Sequence, residues 1–139
     1  SGFSDTIYFY DLHGIEVKKI GIKSNKYTTK KIPTKIKDGL ASPGLSVRNT
    51  KNSTFIFSVL YDKYRNLFYC VIRGKYDESR DSYPFNVLVY DSDFKLLSEK
   101  PFDSIKYYLE FFVGRDGLHI RQQHNNNFNK VVYSIFRYE

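Results

Sequence analysis

The chain has 139 residues, a formal net charge of +7, 13 Tyr, 12 Phe and a single cysteine, Cys70. That length suffices for one ordinary core, one cysteine excludes an intrachain disulfide and a multi-cysteine zinc site, and no run of about 18 apolar residues is present to cross a membrane as a helix. With no Met and an opening Ser1-Gly2, the chain reads as a processed or tagged product or as a piece of something longer, and no signal peptide is visible in it.

Residues 1–22 read as a strand, a tight turn and a second strand: Asp5-Thr6-Ile7-Tyr8-Phe9-Tyr10-Asp11, then Leu12-His13-Gly14, then Ile15 to Ile20. Residues 23–50 differ. Lys18, Lys19, Lys23, Lys26, Lys30, Lys31, Lys35 and Lys37 crowd into this part of the chain, with Pro33, Gly39 and Ser42-Pro43-Gly44 as punctuation. The stretch is expected to be a long basic surface connection with one short strand near Tyr27–Ile32, and connections of this length tend to be functional or mobile.

Residues 51–103 carry four short runs rich in aromatic and β-branched residues, the composition of pleated strands. They are Phe55–Leu60, Leu67–Arg73, Asn86–Tyr90 and Phe94–Glu99, separated by turn-forming Asp, Asn, Ser and Gly. The second and third runs are apolar on both faces, as strands covered on both sides are. The fourth is mixed, with Lys95 and Glu99 on a face expected to meet water. Ile7 to Asp11 and Val87 to Asp91 share one pattern: apolar residues, Tyr, Asp, a turn and a mixed strand. This predicts an internal repeat. Residues 104–139 then read as three more strands, Tyr107–Val113, Leu118–Gln122 and Val131–Tyr138, with Asp116-Gly117 as a hairpin signal and a polar loop at His124 to Asn127.

The expected fold is therefore all-β: antiparallel meander sheets, a fragment of a β-propeller of about two to three blades. Residues 1–22 would end one blade, 51–103 would form a complete four-stranded blade, and 104–139 would give three strands of a final one. A β-sandwich or a barrel is the alternative. Sheet edges left open in such a piece invite self-association.

Three stretches, Tyr61-Asp62-Lys63-Tyr64-Arg65-Asn66-Leu67-Phe68-Tyr69, Val87 to Phe94 and Phe112 to Ile120, together resemble an uncharacterised bacterial family of exported, often lipid-anchored, TolB-like six-bladed β-propellers. The resemblance implies a cell-envelope protein about half of whose ring, or more, lies outside these residues. The chain departs from the family in having no lipid-anchor cysteine and no N-terminal blades. It carries over no catalytic residue.

Candidate sites are few. The lysine tract has the charge to neutralise a polyanion, but one aromatic, Tyr27, among many lysines lacks the interleaving of nucleic-acid modules, and lysines also protect strand edges. Nucleic acid is therefore not the expected partner. His13, His119 and His124 have no metal-ligand spacing, so no metal and no cofactor are expected. Asp91 and Asp93 flank a turn, and Asp77, Glu78 and Asp81 sit in a mixed-charge loop, both structural settings rather than paired catalytic acids. Cys70 lies in the most apolar strand, where a small buried hydrophobe belongs. In the loop from Gly74 to Pro84, Tyr76, Arg80 and Tyr83 combine planar and charged groups suited to sugars or peptides. The expected function is non-enzymatic: a binding or scaffold module for a protein or glycan partner. An enzyme acting on a polysaccharide with its site completed elsewhere, and polyanion binding through the lysines, are the alternatives.

Overall fold

A computed structural model of the chain describes residues 6–27, 51–123 and 129–139. These form an all-β molecule of nine strands: β1 (Thr6–Tyr10), β2 (Glu16–Gly21), β3 (Phe55–Asp62), β4 (Leu67–Arg73), β5 (Phe85–Tyr90), β6 (Leu96–Phe102), β7 (Tyr107–Gly114), β8 (Gly117–Gln122) and β9 (Tyr133–Phe136). Every pairing is antiparallel between chain neighbours. They make a two-stranded sheet β1-β2, a four-stranded sheet β3-β4-β5-β6 and a three-stranded sheet β7-β8-β9.

The middle sheet is buried on both faces because its side chains are apolar on both. Along β4 and β5, Tyr69, Val71, Phe85, Val87 and Val89 point one way and join Leu118 and Ile120 of β8 in one core. Cys70, Ile72, Leu88 and Tyr90 point the other way and join Ile22, with Ile7 and Ile20 of the first sheet packed against them. All six residues of β5 are buried. Aromatic rings mark both interfaces. Phe9 meets Phe68 and Phe94 edge-on, and Phe111 meets Phe57 and Phe85. The result is a stack of three sheets, each interface a layer of packed apolar side chains of the kind that stabilises β-structure. Among the described residues neither alternative, a two-sheet sandwich or a closed barrel, describes three separate sheets with the middle one covered twice.

The internal repeat is visible bond by bond. In the β1–β2 turn, Asp11 Oδ1 accepts from the backbone N–H of His13 and Ile15, the Asp11 N–H donates to Ile15 O, and the Gly14 N–H donates to Asp11 O. In the β5–β6 turn, Asp91 Oδ1 accepts from Asp93 and Lys95, Asp91 N–H donates to Lys95 O, and Phe94 N–H donates to Asp91 O. The fourth position of each turn is left-handed, Gly14 at φ 78° and Phe94 at φ 60°. One aspartate thus organises each turn by local capping.

Several boundaries differ from the sequence reading. Phe94 and Lys95 belong to the turn, and β6 runs Leu96–Phe102. The final strand shortens to four residues. Tyr27 lies outside any strand, and the rest of the strand expected near Tyr27–Ile32 falls outside the described residues. Glu99, expected to face water, instead accepts hydrogen bonds from Ser24, Asn25 and Asn86. The reason is that the segment after β2 folds over the outer strand there.

Candidate recognition site

The two ends of the stack are unlike. One end carries the tight turns: Asp11 to Ile15, Asp62 to Leu67, Asp91 to Lys95 and Gly114 to Gly117. The first of the middle sheet's turns is held by Asp62, fully buried. It accepts from the Tyr64 and Arg65 N–H groups, the Arg65 guanidinium at 3.0 Å and the Tyr69 hydroxyl at 3.1 Å. Burial, then the Asp62 carboxylate, push the Tyr69 hydroxyl up to about 12. Arg65 also donates to the Arg115 carbonyl at 2.6 Å, tying this turn to the β7–β8 turn. Asp11, Asp62, Arg65 and Asp91 are thus spent on holding the turns.

The other end carries the long connections, where recognition residues tend to sit on a rigid scaffold. The β4–β5 loop, residues 74–84, is fastened from three sides. Its Tyr76 N–H donates to the Lys51 carbonyl and its Gly74 N–H to the Pro84 carbonyl. A Cβ at Gly74 would lie 2.9 Å from the Tyr27 ring and 3.2 Å from Pro84, so any larger residue would have to push the Tyr27 ring away. Arg80 pairs with Asp77 at 4.0 Å and with Asp103, in the β6–β7 connection, at 3.7 Å.

Within this frame Tyr76 and Tyr83 meet edge to face, with centroids 5.0 Å apart. The Lys51 ammonium lies 4.1 Å from the Tyr76 ring centroid, and the Tyr76 hydroxyl bonds Asp81. Beneath them the Arg73 guanidinium is layered between the Phe55 ring (4.3 Å) and the Tyr83 ring (4.0 Å). Burial lowers the pKa of that guanidinium, with Tyr83 opposing. The structure therefore brings Tyr76 and Tyr83 together and turns Arg80 aside, toward Asp77 and Asp103. Beyond Asp103 an open depression of about 360 Å³ is lined by Ile105, Lys106, Tyr107, Gln122 and Gln123.

The lysines of the basic tract do not form one patch where they are described. Lys18 leans over the Phe94 ring at 5.5 Å, whereas Lys19, next along β2, points to the other face opposite Tyr8. Lys26 lies over Tyr27, and Lys23 is exposed. Lys30, Lys31, Lys35 and Lys37 fall outside the described residues, as does His124. His13 sits in the β1–β2 turn. His119 stacks on Phe112 at 4.3 Å with its Nδ1 3.1 Å from the Gly117 carbonyl. Asp77 caps Ser79, and the hydroxyl of Ser79 is the first cause of its lowered carboxyl pKa. Cys70 is fully buried, and burial pushes its thiol up to about 12.

Sequence reasoning missed Lys51, Arg73 and Glu99. Burial pulls the Glu99 carboxyl upward, but hydrogen bonds from Ser24, Asn25 and Asn86 outweigh it and leave the group below its ordinary value. The Glu99 partners Ser24 and Asn25 are 75 and 74 residues away, so no local pattern could show them.

The profile of a family described as a domain of unknown function, DUF4221, matches residues 1–101. The chain belongs to the DUF4221 family. The DUF4221 chain also shares its fold with a solved structure, a member of the same family from Bacteroides vulgatus. The two are 24% identical with a TM-score of 0.78, and the match covers 98% of this chain and 40% of that one. This DUF4221 chain thus spans about two fifths of the length of that relative. No curated protein matches it.

Proposed function

We propose that this DUF4221 chain is a non-enzymatic recognition module, that its stacked sheets are consecutive blades of a TolB-like β-propeller of the bacterial cell envelope, and that the loop end of the stack binds a glycan. The observation that carries the binding reading is the Tyr76–Tyr83 pair, braced by Arg73 and overlaid, among the described residues, by the exposed Lys51. Tyrosine rings offer an apolar surface to the C–H faces of sugars, while their hydroxyls, the Lys51 ammonium and the Asp81 carboxylate supply donors and acceptors around it. A ligand ring would displace the Lys51 side chain at little cost. The blade assignment is supported by the repeated aspartate turn and by the double coverage of the middle sheet. The envelope placement is supported by the resemblance of the turn and hairpin stretches around Tyr61–Tyr69, Val87–Phe94 and Phe112–Ile120.

Calorimetry against a panel of envelope oligosaccharides, with matched peptides alongside and product analysis after incubation, tests this reading. Tyr76→Ala and Tyr83→Ala are each expected to weaken glycan binding about tenfold or more, the loss of roughly 1.4 kcal/mol. Binding by peptides alone would move the proposal to a protein partner. Release of a shortened glycan would replace it with an enzyme.

A further inference from the structure

We infer that the depression beside Asp103 is a second subsite of the same surface, that it takes a neutral sugar unit, and that the ligand is a neutral glycan of several units lying across Arg80. This extends the glycan reading of the Tyr76–Tyr83 pair and rests on it.

The depression is built by one turn and the end of one strand. Asp103 shapes the turn: its Oδ1 accepts from the Ile105 N–H at 2.9 Å, and its carbonyl accepts from the Lys106 and Tyr107 N–H groups. Gln123, just past β8, fastens the turn from the other side. Its N–H donates to the Lys106 carbonyl at 2.9 Å and its Nε2 to the Ser104 carbonyl at 2.7 Å. Ile105, Lys106, Tyr107, Gln122 and Gln123 are thus held around a depression of about 360 Å³, in the lower part of the roughly 300–1,000 Å³ range of small-ligand clefts. A short stretch of ligand fits that size, and the fastened turn is in place before it binds.

The polar groups left over decide what suits it. A main-chain carbonyl only accepts, so the Gln123 amide must turn its Nε2 to Ser104, which leaves Oε1 as a spare acceptor. Gln122 likewise spends its Nε2 on the Ser134 hydroxyl at 2.6 Å. Among the described residues neither Oε1 accepts a hydrogen bond, and the exposed Lys106 ammonium donates none. Ile105 is 50% exposed and adds an apolar side chain. A sugar hydroxyl can donate to an amide oxygen and accept from an ammonium, while a C–H face of the ring lies on an apolar side chain. A carboxylate or phosphate only accepts: it would meet Lys106 but leave both amide oxygens facing its charge, with Asp103 at the rim. The donor and acceptor set therefore favours a neutral sugar.

Arg80 joins the two halves. Its guanidinium lies 3.7 Å from Asp103 and 4.0 Å from Asp77, beyond hydrogen-bond length, and its side chain is 62% exposed. Its charge is balanced by both carboxylates while its N–H groups remain able to donate to a hydroxyl. Asp103 is the hinge of the arrangement, one oxygen on the turn that presents Ile105 and the other toward the loop that carries Tyr76 and Tyr83.

The test is calorimetry with matched di- and hexasaccharides of neutral malto-, cello-, xylo-, manno- and chito-oligosaccharides and of oligogalacturonate. A neutral hexasaccharide should bind about tenfold tighter than its disaccharide, the scale of an added hydrogen bond to a charged group. Lys106→Ala and Ile105→Ser, both at exposed positions, should each remove most of that advantage, whereas Tyr76→Ala should weaken both lengths. Equal affinity for both lengths, or an advantage untouched in both Lys106→Ala and Ile105→Ser, would overturn the second subsite and leave the Tyr76–Tyr83 reading standing. A hexagalacturonate tighter than every neutral hexasaccharide would overturn the neutral class. Binding by none of these probes, or binding unmoved by Tyr76→Ala, would overturn the Tyr76–Tyr83 reading and this extension with it.

Discussion

Glu99 shows how much one side chain can organise. It receives hydrogen bonds from two different segments, Ser24 and Asn25 after β2 and Asn86 on β5, and so clamps the start of the basic connection to the outer strand. Its folded-state pKa is lowered. The stability it contributes is therefore fully present above the unfolded carboxyl value, about 4.3, and is lost as pH falls through the lower folded value. Glu99→Gln should cost about 1.5–3 kcal/mol at pH 7, the scale of hydrogen bonds to a charged group, and should flatten the part of the acid-unfolding curve below about pH 4.3. Urea midpoints of both proteins from pH 3 to 7 check this. Equal slopes in the acid range would show that Glu99 is not the titrating clamp. Cys70 and Asp91 were legible from sequence because their roles are set by their neighbours in the chain: an apolar run for one, a turn for the other. Glu99 was not legible, since alternation placed it toward water and only the distant segment after β2 reverses that.

At the scale of elements, the same turn is built with two different residues at its left-handed position. Gly14 has open space around it, so Gly14→Ala meets only backbone strain and should cost about 1–2 kcal/mol. Phe94 accepts that strain because its ring stacks on Phe68 at 4.4 Å and touches Phe9 and Tyr90. Phe94→Gly should relieve about 1–2 kcal/mol of strain but lose the about 3–5 kcal/mol of an aromatic truncation, a net destabilisation read by thermal unfolding. A stabilised Phe94→Gly variant would mean that the ring contacts are weak. The strands themselves were readable from two-sided apolar runs. Their ends were not, because the turn at Asp91 spends Phe94 and Lys95, residues whose composition suits a strand, on its own hydrogen bonds.

At the scale of the molecule, the middle sheet holds two separate cores together. Phe85 faces the third sheet, stacking on Phe102 at 5.4 Å and meeting Phe111 at 5.6 Å, while Leu88 faces the first sheet. Phe85→Ala and Leu88→Ala should cost about 3–5 and 2–5 kcal/mol respectively, but with different signatures. Hydrogen exchange should quicken in β7 and β8 for the first and in β1 and β2 for the second; the same pattern in both would deny the three-layer stack. The stack also makes the ends unequal, one closed by tight turns, the other open with long connections. The loop was readable as a candidate site, and the meeting of Tyr76 with Tyr83 was not, since it depends on Lys51 and Arg73 from other strands and connections. The most direct measurement is an amide-resolved NMR titration of the chain with the envelope oligosaccharide panel. The account predicts shifts gathered at Lys51, Tyr76 and Tyr83, spreading toward Gln122, with the Asp11, Asp62 and Asp91 turns silent. Shifts centred on the turn end, or on no one region, would contradict it.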